Sequence, residues 1–333
     1  MINNRLSILV ALVLLVISCD TTVKKGSSGH RILPNITGGA GEVLVVMDTY
    51  NWEHAVGELT KDILKDEYPA LPQSEPLFDV THITSASFDN MFRYHRSVVL
   101  VTVNESREEP AIRFRKNVWA KPQIVVQVEA SGSHDLLQVI GANRDKIQQF
   151  LVQNDRKRLM NSYEESKDLE IEKKMASNHQ IRLSIPRGYN IDFFKDEYSS
   201  VSIETPDYSQ VIHVFEYPAD GPEDLATDLL IRKRNEFCRE YVQGPTEDSY
   251  MTTSTIYPPE VYDLQMKNKK VVEIRGLWDL VNGFMGGPFV SHSIFDEKRS
   301  RIVTVEGYVY YPNQKKRVKI KQLEAIIYSL EII

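Results

Sequence analysis

The hydrophobic pattern changes halfway along this chain, and that change constrains the fold more than any other feature. In the first half, short apolar runs typical of buried strands alternate with segments whose apolar residues recur at helical spacing. The run 43–47 is followed by Trp52, Val56 and Ile63, which is the clearest example. After about residue 180, apolar and polar residues alternate instead, as they do in strands with one buried face. The sequence therefore predicts two halves that are built differently.

The predicted fold class is α+β, with two domains. Residues 42–178 are expected to form an α/β domain in which strands and helices alternate, including one long polar helix from about His134 to Met175. Residues 179–333 are expected to form an antiparallel sheet flanked by helices, an α/β/α sandwich. A chain of 333 residues with 42% hydrophobic residues has enough apolar material for two cores.

The start of the chain predicts a lipid anchor. Arg5 is followed by about a dozen mostly apolar residues, within the ~7–15 of a signal sequence and short of the roughly 20 that span a bilayer. The small Ser18 directly precedes Cys19, and this ending resembles the lipobox read by bacterial lipoprotein-processing enzymes. We therefore expect residues 1–18 to be a signal peptide that is removed, and Cys19 to be acylated and held in a lipid bilayer.

Residues 19–41 are predicted to be a flexible tether, because they are polar, rich in glycine and serine, and without apolar periodicity. The run Gly38–Gly41 has the glycines of a phosphate-binding loop but precedes a strand, whereas such a loop follows one. These glycines are interpreted as linker or turn residues.

Composition argues against several classes of function. A formal net charge of −6 argues against nucleic acid as a partner. The chain has two cysteines, so an acylated Cys19 leaves Cys238 without an intramolecular disulfide or a cysteine-based metal site. Cys238 lies beside Phe237 and is interpreted as a small buried hydrophobe. The eight histidines show no metal-ligand spacing, and neither a metal nor a cofactor is predicted.

Two places in the sequence, Asp48 and the run Ser133–Asp135, suggest a catalytic role. Asp48 follows the first predicted strand, where open α/β sheets place their sites, but it can also cap the next helix. Ser133, His134 and Asp135 are the residue types of a hydrolase triad, yet triads are assembled from distant positions. We expect Asp48 to be a helix cap, with a ligand role as the alternative, and Ser133 to cap a helix.

The segment 276–290 is the strongest candidate for a functional surface. It combines several glycines with large apolar side chains, namely Trp278, Phe284, Met285 and Phe289. Such a segment is either a hairpin that closes the core of the second half or an apolar lip that contacts a partner or ligand.

A second candidate surface is basic. Lys315, Lys316 and Arg317, with Lys319 and Lys321, lie at the N-terminal end of the last predicted helix, where the helix dipole favours anions. These cations either form a solvated face paired with nearby glutamates or contact anionic headgroups or a partner.

Several motifs resemble a known family. They are the lipobox, Gly39-Ala40-Gly41-Glu42, Gly276-Leu277-Trp278, the run 285–290 (Met-Gly-Gly-Pro-Phe-Val) and Leu323-Glu324-Ala325-Ile326. Over nearly all 333 residues the chain resembles an uncharacterised lipoprotein family of the Bacteroidetes, domain of unknown function 4837 (DUF4837). The second half also resembles the PsbP/Mog1-type fold.

The family resemblance implies a cellular location but no activity. Only Asp20 is acidic before Lys24 and Lys25, which by resemblance implies a lipid anchor in the outer membrane facing the periplasm, with surface exposure as the alternative. The leading hypothesis is a non-enzymatic binding or scaffold module with an envelope protein as partner. The alternatives are an envelope hydrolase with dispersed acidic residues, or a carrier of an apolar ligand.

Overall fold

The computed structural model describes residues 32–333, and residues 34–333 form one compact unit. The predicted signal peptide, Cys19 and residues 20–31 of the predicted tether lie outside the described residues. The tether prediction is wrong for residues 34–41, which belong to the compact unit: the backbone N–H of Thr37 donates to the carbonyl of Tyr94 at 2.8 Å, and Asn35 forms a β-bridge with Lys121. No helix within residues 32–333 is both long and apolar enough to cross a membrane.

The first half contains a five-stranded sheet whose strand order is β2-β1-β3-β5-β4. Its strands are β1 (Glu42–Val46), β2 (Asp79–Ile83), β3 (Ser97–Val103), β4 (Ala111–Lys116) and β5 (Ile124–Ala130). All neighbours are parallel except β4, which runs antiparallel to β5. The helices of this half are α1 (Thr49–Glu53), α2 (Ala55–Leu64), α3 (Asn90–Arg93), α4 (Ser133–Ala142) and α5 (Arg144–Ser166). The predicted alternation of strands and helices is confirmed.

Both faces of this sheet are buried, which explains the continuous apolar run in β1. Val43 and Val45 pack on one face with residues of α2, α4 and α5. Leu44 and Val46 pack on the other face, against a smaller cluster that includes Trp119. A strand covered on both sides places every side chain in a core, where a polar side chain would need a buried partner.

The prediction of one long helix from His134 to Met175 is wrong, because the structure has three consecutive helices in this region. Helix α4 ends at Ala142, α5 covers Arg144–Ser166, and α6 covers Leu169–His179. Asp168 caps α6 by accepting hydrogen bonds from the backbone N–H groups of Glu170 (3.0 Å) and Ile171 (3.1 Å). A capping residue can start a new helix within a polar stretch that lacks proline and glycine.

The second half contains an eight-stranded antiparallel sheet, with strand order β10-β12-β13-β14-β9-β8-β7 and β11 paired to β12. Its strands are β7 (Asn190–Phe194), β8 (Tyr198–Glu204), β9 (Ser209–Pro218), β10 (Tyr250–Thr253), β11 (Glu260–Met266), β12 (Lys269–Val281), β13 (Gly286–Asp296) and β14 (Arg301–Tyr310). Two short strands, β6 (Ile181–Arg182) and β15 (Glu331–Ile332), pair separately. Helix α7 (Thr227–Tyr241) covers one face, and α6 and α8 (Arg317–Ile327) cover the other. The predicted sheet flanked by helices is confirmed.

A carboxylate from the first half caps the N-terminus of α8. The buried Glu75 accepts hydrogen bonds from the backbone N–H of Lys316 (2.5 Å) and of Arg317 (3.2 Å). The Arg317 guanidinium in turn binds the carboxylate of Asp79 and the backbone carbonyl of Pro76. Acids that are distant in sequence therefore compensate the cations at this helix end, where the dipole alone would disfavour them.

We expect the substitution Glu75→Gln to lower the free energy of unfolding by about 2 kcal/mol, because a charge-assisted bond to buried N–H groups is lost. Urea unfolding measures the change. The exposed Glu67→Gln serves as the matched control and should stay within about 0.5 kcal/mol of the wild type. Equal losses in the two variants would show that Glu75 does not cap α8.

Candidate functional site

A groove of about 710 Å³ opens between the loop after α2 and the edge of the second sheet. Three tyrosines line it, Tyr68, Tyr257 and Tyr262, together with three prolines. Its carboxylates are Asp66, Glu67 and Glu260, and no lysine or arginine is among the residues that line it. This surface is therefore aromatic and acidic.

The loop wall of the groove follows from a helix break. Helix α2 ends at Leu64, the prolines at 69 and 72 keep the segment after it from forming another helix, and Ala70 adopts a left-handed backbone conformation with φ of 54°. The loop is held at both ends, because the backbone N–H of Tyr68 donates to the carbonyl of Glu75 at 2.8 Å and that of Leu77 donates to the carbonyl of Asp66 at 2.8 Å. This wall is therefore fixed rather than loose.

The opposite wall comes from the hairpin β11–β12 and the segment before it. Lys267 and Asn268 form the two-residue turn, and both have positive φ, 49° and 66°. A two-residue turn with positive φ at both positions has a twist that matches the twist of the two strands it joins. Gly276 and Leu277, from the middle of β12, also line the groove.

A buried network of charges lies beneath the groove. Arg275 donates to Glu273 at 2.7 Å and to Glu324 at 2.5 Å, and the Tyr68 hydroxyl donates to Glu324. The Nε2 atom of His292 lies 2.8 Å from Glu273. Each buried charge therefore has a partner of the opposite sign, without which burial would be very costly.

The two carboxylates of this network stay ionised. Burial alone would raise the pKa of Glu273, but the hydrogen bond from His292 and the charge of Arg275 lower it far below the usual range. Burial also opposes ionisation of Glu324, but Arg275 and Arg156 lower its pKa. A general acid in a hydrolase needs a raised pKa, whereas the pKa values of Glu273 and Glu324 are both lowered.

Acid should therefore destabilise the protein. The pKa of Glu273 is depressed in the folded state, so its contribution is complete above the ordinary glutamate pKa of about 4.3 and is lost as the pH falls towards the folded value. We expect Glu273→Gln to show a shallower loss of stability than the wild type between about pH 5 and pH 3, measured by urea unfolding. The exposed Glu165→Gln should keep the wild-type slope. An unchanged slope in Glu273→Gln would contradict this assignment.

A second buried cluster lies between the second sheet and α7. Ligand-type atoms of His213, Cys238 and Glu306 all lie within 4.8 Å of one another, and all three residues are buried. Arg234 donates to both Glu306 oxygens, at 2.8 Å and 2.7 Å. Because the guanidinium already neutralises this carboxylate, a metal ion would have to displace it. The members come from β9, α7 and β14, so no local spacing in the sequence reveals them.

Cys238 is placed as the sequence predicted, in the core beside Phe237. Burial raises the pKa of its thiol to about 12, which excludes thiolate chemistry at neutral pH. We expect no reaction with iodoacetamide in the folded protein and complete reaction in concentrated urea, measured by mass spectrometry. A Cys19→Ala background leaves Cys238 as the single thiol. Rapid alkylation of the folded protein would show that the thiol is accessible.

The predicted segment 276–290 lies in the hairpin of β12 and β13. Trp278 and Phe289 are buried in the core, where the indole of Trp278 donates to the carbonyl of Val309 at 3.3 Å. Met285 is half-buried, whereas Phe284 at the hairpin tip is 89% exposed. Trp278 and Phe289 therefore close the core, and Phe284 is left available for contact with another molecule.

The predicted basic cluster does not form one surface. Lys315 is exposed, but Lys316 and Arg317 are buried against the first half. Lys321 is also buried, and its Nζ atom lies 3.5 Å from Asp155. The expectation of a solvated or headgroup-facing cluster is wrong for these buried cations: Arg317 and Lys321 pair with acids distant in the sequence, Asp79 and Asp155, and the ammonium of Lys316 donates to the carbonyl of Gln314 at 2.8 Å.

The remaining local predictions concern caps and turns. Asp48 caps α1 by accepting from the backbone N–H of Asn51 at 2.9 Å, so the capping prediction is confirmed. Ser133 is the first residue of α4 and Gly132 holds the capping position, so the predicted cap at Ser133 is wrong. Gly38 and Gly41 have φ of 88° and 80°, which confirms them as turn residues.

Two families of unknown function match this chain. Residues 168–329 match the family described as Domain of unknown function (DUF4837), and residues 37–164 match Domain of unknown function (DUF8532). The resemblance to the first family is therefore confirmed for the second half of the chain, and the first half matches a different family. No curated protein sequence matches this chain significantly.

Solved structures resemble parts of the chain at a distance. A mutant of the protein Mog1 is 10% identical, with a TM-score of 0.28 over 46% of this chain and 91% of that one. A protein from Bacteroides thetaiotaomicron VPI-5482 is 13% identical, with a TM-score of 0.21 over 47% of this chain and 46% of that one. The human StarD13 (DLC2) lipid transfer and protein localization domain is 12% identical, with a TM-score of 0.22 over 44% of this chain and 90% of that one. At these scores the likeness supports no inference about ligand or activity.

Proposed function

We propose that this protein is a membrane-tethered binding module that holds a protein partner of the cell envelope in the groove beside β11. The observation that carries the proposal is the groove itself, in which the exposed rings of Tyr257 and Tyr262 face a proline- and carboxylate-bearing loop that is held by backbone hydrogen bonds. Binding surfaces are enriched in such rings, because they supply a large contact area at a small entropic cost.

The chemistry beneath the groove favours binding over catalysis. Glu273 and Glu324 are ionised and held by Arg275, so neither is poised to donate a proton. A second groove, of about 770 Å³, is lined by several charged side chains, including Lys167, Glu172 and Arg182. A carrier of an apolar ligand needs an apolar cavity instead.

The tether is part of the same proposal. Acylation of Cys19 would hold the protein on a bilayer, and the residues between Cys19 and the compact unit, which begins at residue 34, would give that unit a reach of about 20 Å from it. We place the anchor in the outer membrane, facing the periplasm. This location rests on the sequence pattern around Cys19 and on the family resemblance.

In-cell photocrosslinking of the full-length protein tests this function. A photoreactive residue in place of Tyr257, which is 62% exposed on the groove, should yield an adduct with an envelope protein. The same residue in place of Tyr50, which is 64% exposed on α1, is the matched control and should yield none. Mass spectrometry of the adducts identifies the partner.

The contribution of the anchor is tested by Cys19→Ala in the same cells. Loss of most of the Tyr257-site adduct would support tethering as a condition of binding. Adducts at neither position, or equal adducts at both, would overturn the assignment of the groove as the binding surface.

A further inference from the structure

Strand β11 is an exposed edge of the second sheet. Its inner side pairs with β12 over its whole length, from Glu260 opposite Arg275 to Met266 opposite Lys269. Within residues 32–333, no strand pairs with its outer side. Most of its residues are exposed, and such an edge offers unpaired backbone groups to another strand.

The turn fixes which backbone groups point outwards. In a two-residue turn the flanking residues, Met266 and Lys269, are joined by a backbone hydrogen bond, so they form a hydrogen-bonded pair. Such pairs alternate along an antiparallel ladder. The backbone N–H and C=O groups of Val261, Asp263 and Gln265 therefore face the free edge.

Side chains of the same strand face the groove. Glu260 and Tyr262 line it, and successive side chains of a strand point to opposite faces. A strand added to the free edge would place every second side chain on this groove face, beside Glu260 and Tyr262. Its other side chains would lie beside Val261, which is exposed.

The carboxylates of the groove indicate which side chains an added strand would carry. Among the carboxylates that line the groove, Asp66 is already bound by Arg144 and Gln148, at 3.1 Å and 3.0 Å. Glu67 forms no ion pair in the described part of the chain, and Glu260 accepts only from the Tyr262 hydroxyl there. An incoming lysine or arginine would meet these carboxylates and the faces of Tyr257 and Tyr262.

We infer that the free edge of β11 accepts an extended basic segment of the partner protein as an additional strand, with lysine or arginine side chains in the acidic groove. This inference rests on the proposed binding function and specifies the partner's chemistry. Backbone hydrogen bonds would supply affinity, and the alternate basic side chains would supply specificity.

Fluorescence anisotropy with a labelled peptide of alternating lysine and valine tests this inference, using the full-length protein in detergent. We expect saturable binding that weakens as salt is raised, and binding at least tenfold weaker for the matched peptide of alternating glutamate and valine. The double variant Glu67→Gln with Glu260→Gln should weaken binding of the lysine peptide about fivefold.

Two proline variants test strand addition separately from charge. Val261→Pro removes an outward N–H, a position where an edge strand tolerates proline, and should weaken binding about fivefold. Gln265→Pro removes a second outward N–H and should also weaken binding. The matched control Val261→Thr keeps the N–H and the branched shape and should bind within about twofold of the wild type. Urea unfolding confirms that each variant is folded.

The outcomes separate this inference from the proposed function. Proline variants that are folded and bind like the wild type would overturn strand addition. Equal binding of the two peptides, or binding of neither, would overturn the basic segment. An envelope adduct at the Tyr257 position would support the binding function even then, and the partner would engage the groove in another way.

Discussion

The N-terminus of helix α8 depends on a carboxylate supplied from 241 residues earlier in the chain. Glu75 accepts from the first backbone N–H groups of this helix, and further along α8 Lys321 meets Asp155 and Glu324 meets Arg275. Successive turns of one helix are thus bound to the first half of the chain and to the second sheet. Loss of any one of these contacts would leave a buried charge without its partner. Because an unpaired buried charge is costly, the folded protein would be destabilised.

The two sheets could be predicted because their patterns are local. Strand β1 is apolar at every position from Val43, as expected of a strand covered on both faces. The alternation in the second half predicts one buried face, but the central strands of the second sheet are buried on both, and polar positions such as His213 and Glu306 pair with each other inside the core. The breaks in the polar helical region were missed at Asn143 and Lys167. Neither residue is a proline or glycine, and the cap at Asp168 looks like any other acidic residue in a polar stretch.

The candidate groove could be predicted only in fragments. The prolines at 69 and 72 and the glycine at 276 can be read from the sequence, but nothing local shows that they meet beside β11. The basic run from Lys315 was misjudged for the same reason, since Glu75 and Asp79 lie in the other half of the chain. Long-range pairing of this kind leaves no periodicity for a sequence argument to use.

Helix α8 comes after both walls of the groove in the order of the chain. During synthesis from the N-terminus, Glu75 and the loop wall of the groove are made long before the helix that they contact. Until α8 docks, Glu75 and Asp155 lack their partners on this helix, and the Tyr68 hydroxyl lacks the carboxylate of Glu324. A chain without α8 would keep the residues that line the groove but would lose the buried carboxylate on which Tyr68, at the base of its loop wall, depends.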